Sequence, residues 1–240
     1  MCGFSFRTAE RAKNSNGNVH MSKVIRLADV VETIPDGATL MIGGFLAVGA
    51  PLRLIGELVR QGRKDLTIIV NDTNRAGLGV GRLIAARAVR KVVASHVGTN
   101  ADTQRQLLAG EIEVELVPQG TLAERIRAGG VGLGGILTPT GVGTLVEDGK
   151  PVIEVGGRRF LLETPLRADF ALIAAKHADH KGNLDYALTA RNFNPLMAMA
   201  ADTVIAEAQD IVPVGCIPPD QIVTPGVLVD HLVAKEQSHG

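Results

Sequence analysis

Apolar residues in this chain recur in two distinct rhythms. From Val24 to Thr33, with Leu27, Val30, Val31 and Ile34 on one face, the spacing is helical. After the turn Pro35-Asp36-Gly37, the continuous apolar run Thr39-Leu40-Met41-Ile42 has the character of a strand buried on both faces. Helical spacing returns at Leu52, Ile55, Leu58 and Val59, between Pro51 and Gly62, the expected asymmetry of proline at a helix start and glycine past its end. Strand-like runs then recur at Leu66–Val70, Val92–Ser95, Val114–Val117, Phe170–Ala174 and Thr203–Ala206. Helices are predicted near Thr103–Leu108, from a capping box at Thr121 and Glu124 through Ile126, and from Asn194-Pro195 to Met199. Gly129 to Gly143 reads as a glycine-rich connection, His180 to Asn183 as a turn, and Ile222 to Val229 as loop plus edge strand.

Strands alternating with helices across short connections predict an α/β fold, a mostly parallel sheet covered by helices on both faces. One stretch departs from that rhythm. Between Val152 and Leu162 two extended runs flank Gly156-Gly157, which predicts a small β-hairpin insertion. Residues 1–21 are polar and mixed and are expected to form a disordered N-terminal extension, with Met21 as a candidate natural start. Residues 22–233 form the expected domain, and 234–240 a flexible tail.

Composition narrows the function. Twenty-five basic residues balance 25 acidic ones, and aromatics make up 3%, so neither a basic footprint nor stacking platforms point to nucleic acid. No apolar run approaches the ~18 residues of a membrane span, and no apolar core follows the N-terminus as in a secretory signal. A cytoplasmic protein is expected. Cys2 and Cys216 lie at opposite ends without zinc spacing; Cys216 reads as a small apolar filler. His177 and His180 flank Asp179 but lack a third ligand, so a solvated turn outweighs a metal site.

The glycine-rich stretch Gly43-Gly44-Phe45-Leu46-Ala47-Val48-Gly49 follows a predicted strand and precedes a helix. Such a turn lets backbone approach a ligand and turns free N–H groups toward an anion. It also suits a tight turn that merely needs small residues. It is neither GxGxxG nor a P-loop. With its flanks, Asp36-Gly37, Leu40-Met41-Ile42, Gly49 and Pro51, it resembles the first signature of class I coenzyme A transferases. Asn71-Asp72-Thr73, Ser95 to Asn100, Pro118 to Leu122, Thr138 to Thr144 and Ala190 to Pro195 look like the same family, so the resemblance runs from about 22 to 233. The blocks are most similar to α subunits of the acetate/acetoacetate type, enzymes of short-chain fatty acid metabolism.

That resemblance implies CoA transfer between a short-chain acyl-CoA and a free carboxylic acid through a glutamyl-CoA thioester, with ping-pong kinetics. CoA is then a substrate carrier, with no permanently bound cofactor. The nucleophilic glutamate belongs to a β subunit with a Glu-Asn-Gly motif, which is absent here; Glu147-Asp148-Gly149 reads as a surface turn. The chain is therefore expected to carry no catalytic nucleophile, to be inactive alone and to assemble as α2β2. By resemblance Gly43 through Gly49 contribute backbone to the CoA or acyl pocket. Asn71, Asn100 and Gln119 fall just past predicted strands, where their amides either line that crevice or cap turns. His96 reads as structural rather than as an acid or base, and Arg87, Arg90, Arg158 and Arg159 as surface charges rather than phosphate contacts. The competing readings are a sugar-phosphate isomerase or deaminase of the same fold type and a non-catalytic ligand sensor.

Overall fold

Side chains along β1 (Thr39–Ile42) alternate between two apolar cores, and this sets the architecture. Leu40 and Ile42 join Ile68, Val70, Val92 and Ala94 on one face, while Met41 joins Ile69, Val93, Ala171 and Ile173 on the other. The structure, a computed structural model, describes residues 22–234; the expected extension and all but the first residue of the expected tail lie outside them. Among the described residues the remaining strands of the main sheet are β2 (Leu66–Asp72), β3 (Val89–His96), β4 (Glu113–Leu116), β8 (Ala168–Asp179), β9 (Ala201–Val212) and β10 (His231–Val233). Their order is β10-β9-β8-β1-β2-β3-β4, with every pairing parallel.

Helices α1 (Leu27–Glu32), α2 (Leu52–Arg60), α3 (Gly81–Ala85) and α4 (Ala101–Leu108) follow one another in packed contact, and Val30, Leu54 and Leu83 enter the first core. Helices α5 (Gln119–Val131) and α6 (Asn194–Met199) pack together and send Leu122, Ile126 and Met197 into the second. The sheet is thus covered on both faces, as its near-continuous apolar strands require. From β1 the chain winds outward one way through β2, β3 and β4, then resumes on the other side of β1 with β8. That reversal makes a switch point between β1 and β8, the place where open α/β sheets bind ligands at the carboxyl ends of their strands.

A second, antiparallel sheet has the order β5-β7-β6, from β5 (Ile136–Thr138), β6 (Val152–Val155) and β7 (Arg158–Glu163). The predicted hairpin is its β6–β7 pair, with Gly156 and Gly157 both at positive φ as a two-residue turn requires. Buried Glu163 at its end meets Lys150 Nζ at 2.6 Å and Arg125 Nε of α5 at 3.8 Å. Arg125 also donates to Glu115 and to the Thr164 carbonyl, so ionic contacts join this sheet to the main one.

Several expectations need correction. Residues 24–26 are not helical: Val24 bridges in parallel to Leu232, beside β10, and the helix opens at Leu27. Nor does a capping box start α5. Pro118 closes the preceding segment, the helix begins at Gln119, Thr121 Oγ1 is buried without a partner, and Glu124 pairs with Arg127. Gly129 and Gly130 lie inside α5 rather than in a loop, because the helix passes too close to its neighbours for a side chain. A Cβ at Gly129 would sit 1.9 Å from the Leu166 carbonyl oxygen, and one at Gly130 2.6 Å from Met199 Cβ. Strands β8 and β9 each run 12 residues, well beyond the apolar runs that mark them, because polar residues (Lys176, His177 and Asp179; Glu207, Gln209 and Asp210) interrupt the apolar pattern toward their carboxyl ends. Cys216 is exposed and free instead of filling the core.

Candidate active site

Residues 43–50 leave β1 at the switch point and are held at both stems by side-chain amides from a distant segment. Asn192 Oδ1 accepts the Gly44 N–H (3.1 Å), and its Nδ2 donates to the Val48 carbonyl (2.9 Å). Fully buried Asn194 donates from Nδ2 to the carbonyls of Gly49 (3.0 Å) and Ala190 (2.9 Å), while its Oδ1 accepts the Ala174 N–H of β8 (3.1 Å). Gly43 has to be glycine for this clamp to close, since a Cβ there would lie 1.8 Å from Asn194 Oδ1. At the tip, Phe45 and Val48 exchange two backbone hydrogen bonds around Leu46 (φ +47°) and Ala47 (φ +69°). Two non-glycine residues in left-handed conformation cost about 1–2 kcal/mol each, so the surroundings must hold them there. Phe45, Leu46 and Val48 present their side chains to solvent, and the N–H groups of Ala47 and Gly49 have no protein acceptor among the described residues.

A cleft lies on each side of this loop. The smaller, about 360 Å³, is polar and collects Phe45, Leu46, Asn71, Asp72, Ser95, His96 and Gln119 from the carboxyl ends of successive strands and the start of α5. Gln119 Nε2 donates to Asn71 Oδ1 (3.0 Å), and Ser95 Oγ donates to the Asn71 carbonyl (2.7 Å). Asp72, also buried, accepts four hydrogen bonds. Oδ2 takes the Leu46 N–H (2.9 Å) and Asn71 Nδ2 (2.8 Å); Oδ1 takes the N–H (2.8 Å) and Nδ2 (2.7 Å) of Asn74. The larger cleft, about 590 Å³, is walled by Ala47, Ala50, Ala174, Ala190 and Ala208, with Lys176 and Asp210 among its polar members. Glu207 in its wall accepts the N–H groups of Arg53 and Leu54 at the start of α2 and pairs with the Arg53 guanidinium at 3.1 Å. Burial pushes the Tyr186 phenol up to about 12, and its hydroxyl shares a hydrogen bond with Thr224 Oγ1 (2.7 Å).

The structure therefore brings Gly43–Gly49, Asn71 and Gln119 together. Asn100 is elsewhere: it is fully buried, its Oδ1 caps α4 through Asp102 and Thr103, and its Nδ2 donates to the Thr73 carbonyl. Asp72, Asn192 and Asn194 carry no functional expectation in the sequence, where Asn194 reads only as the start of a helix. The one signal for the asparagines was their placement on either side of Phe193 before Pro195, where two side-chain amides meet a helix start. His96 lines the polar cleft, whereas His177 Nδ1 meets Asp185 Oδ2 at 2.8 Å. Among the described residues no group of three His, Cys, Asp or Glu is gathered as for a metal. Arg87 and Arg90 sit at the opposite, amino end of β3, bonded to Glu111 and to the Asp65 carbonyl. Arg158 lies over the Phe160 ring, and Arg159 pairs with Glu147, which also accepts the Gly143 N–H.

The parallel sheet, with a glycine-rich loop between two clefts at its switch point, defines an α/β protein whose loop sits where such sheets bind ligands. The chain belongs to the coenzyme A transferase family, which it matches over residues 24–235. It is 52% identical over 217 residues to the acetate CoA-transferase subunit alpha of Escherichia coli K12, covering 90% of this chain and 99% of that one. It is 51% identical over 214 residues to the acetoacetyl-CoA:acetate/butyrate CoA transferase alpha subunit of Clostridium acetobutylicum, with 89% and 98% covered. Its fold is similar, at a TM-score of 0.80 and 23% identity, to an acyl-CoA transferase of E. coli O157:H7 solved as a thioester complex with CoA; the alignment covers 91% of this chain and 49% of that one. The chain thus spans about half of that protein. No helix among the described residues is long and apolar enough to cross a membrane.

Proposed function

We propose that this chain is the α subunit of a cytoplasmic CoA-transferase that exchanges CoA between a short-chain acyl-CoA and a free acid such as acetate, acetoacetate or butyrate. The observation that carries the reading is its similarity along nearly the whole length of two proteins named as alpha subunits of such enzymes. Residues 22–233 are then one domain, and the partner is a β subunit in an α2β2 assembly.

The nucleophile is a β-subunit glutamate. Its carboxylate attacks the thioester carbonyl, and the tetrahedral intermediate expels CoA thiolate to leave an acyl-glutamyl anhydride. The thiolate attacks the glutamyl carbonyl, releasing the first acid as its carboxylate and forming the glutamyl-CoA thioester. The second acid repeats the sequence in reverse, so no net proton is gained or lost. Every tetrahedral intermediate carries an oxyanion that fixed N–H donors stabilise. In this chain the candidates are the N–H groups of Ala47 and Gly49, on a loop whose stems Asn192 and Asn194 hold. The polar cleft with Asn71 and Gln119 and the alanine-walled cleft are the candidate sites for the acid and for the acyl or pantetheine chain.

The isomerase or deaminase reading, which needs an acid/base carboxylate within this chain, is not favoured. Asp72 and Glu207 beside the loop are both engaged by backbone donors. Mass spectrometry of the mixture with acyl-CoA tests the proposal. A CoA adduct on the β chain, formed only when this chain is present, supports it; an adduct on this chain, or none on either, refutes it.

A further inference from the structure

Asp72 is a buried carboxylate whose four hydrogen-bond donors are all neutral amides, with no cation among them. Burying an unpaired charge is costly, and a neutral side chain would serve an ordinary turn. The second of its oxygens has a specific target. It takes the N–H of Leu46, 26 positions earlier in the chain, at the tip of the cradle. The clamp of Asn192 and Asn194 reaches only the stems, at Gly44, Val48 and Gly49. Asp72 is thus the side chain outside the loop that grips its tip, next to the two left-handed residues Leu46 and Ala47.

We propose that Asp72 is a positioning residue of the transfer reaction: its carboxylate locks the Leu46–Ala47 turn, and the turn sets the direction of the N–H groups that follow it. The proposal rests on the transferase reading above. A hydrogen bond to a charged acceptor is about twice as strong as a neutral one, which suits a turn that must stay strained while charge develops beside it. Asn71 and its partners Ser95 and Gln119 brace the same carboxylate from the floor of the polar cleft.

The test is Asp72→Asn in the complex with the β subunit. An amide offers one acceptor and one donor in place of two acceptors, so its NH₂ must oppose either Leu46 or Asn74. Each oxygen holds two donors, but both on the Oδ1 side come from Asn74, two positions along the chain, whereas Leu46 lies 26 positions away; the local pair stays made and the turn is the side that loses its grip. We expect kcat to fall about 30-fold, about 2 kcal/mol of barrier, with KM for acyl-CoA within about 3-fold of the parent. Adding Ala47→Gly should recover most of that loss, since glycine adopts the left-handed conformation without a brace. The amide of Leu46 should also exchange with deuterium about tenfold faster in Asp72→Asn, with β4 unchanged. An Asp72→Asn complex with kcat within about twofold of the parent overturns the proposal. So does a loss that glycine fails to rescue and that tracks a lower melting temperature, the mark of a merely structural residue. A parent complex that moves no CoA refutes the transferase reading itself, and this proposal with it.

Discussion

Replacing Gly43 by alanine tests the clamp that shapes the cradle. The added Cβ would lie 1.8 Å from Asn194 Oδ1 and 2.6 Å from its Cγ, so the Asn194 side chain must leave its place. Leaving breaks its three hydrogen bonds, to the Ala174 N–H and to the Gly49 and Ala190 carbonyls. At about 1 kcal/mol net each, the cost is roughly 3 kcal/mol. For a chain of this size that lowers the melting temperature by about 6–12 °C. Gly120 in the first turn of α5 supplies the control: it has open space around a Cβ and no positive φ. There alanine should be neutral or stabilise by up to about 1 kcal/mol. Thermal unfolding by circular dichroism reads both, and the Gly43→Ala/Asn194→Ala pair should be no less stable than Asn194→Ala alone. A Gly43→Ala protein melting within about 1 °C of the parent would refute the clamp.

Two further outcomes follow from buried groups. Tyr186 is the single tyrosine and the chain has no tryptophan, so absorbance at alkaline pH reports it alone. It should ionise near 12 in the folded chain and near 10.0 in urea. Its folded value is raised, so its contribution to stability is whole below pH 10 and fades as pH rises toward 12, and Tyr186→Phe should remove that slope; titration near 10 in the folded chain would contradict the burial argument. Glu163→Ala strips a buried carboxylate from Lys150 and Arg125 and should cost roughly 3 kcal/mol in urea unfolding, whereas the exposed Glu124 paired with Arg127 should lose less than about 1 kcal/mol on the same change. Equal effects would contradict the assigned burial.

Much of the sheet was legible because parallel strands buried on both faces carry unbroken apolar runs; β1, β2 and the middle of β3 declare themselves this way, while the edge strand β4 shows instead the alternation of Glu113, Val114, Glu115 and Leu116. The polar carboxyl ends of β8 and β9 hid their length, and these ends form the wall of the larger cleft. Helix α5 hid its second half behind Gly129 and Gly130, where small size reflects close packing rather than a turn. At the site, the loop from Gly43 to Gly49 stood out through local glycine. Its supports did not, because Asn192 and Asn194 act across more than 140 positions, and Asp72 looks in sequence like any acidic residue after a strand.

If this chain shapes the pocket of a CoA-transferase whose nucleophile lies on the β subunit, the reaction itself reports it. The direct measurement is CoA transfer from acetoacetyl-CoA to acetate, with the chain alone and then mixed with a candidate β subunit. Silence is expected from the chain alone, turnover from the mixture, and loss of that turnover when the β glutamate becomes alanine. Turnover by the chain alone, or turnover that survives removal of the β glutamate, would contradict that placement of the nucleophile.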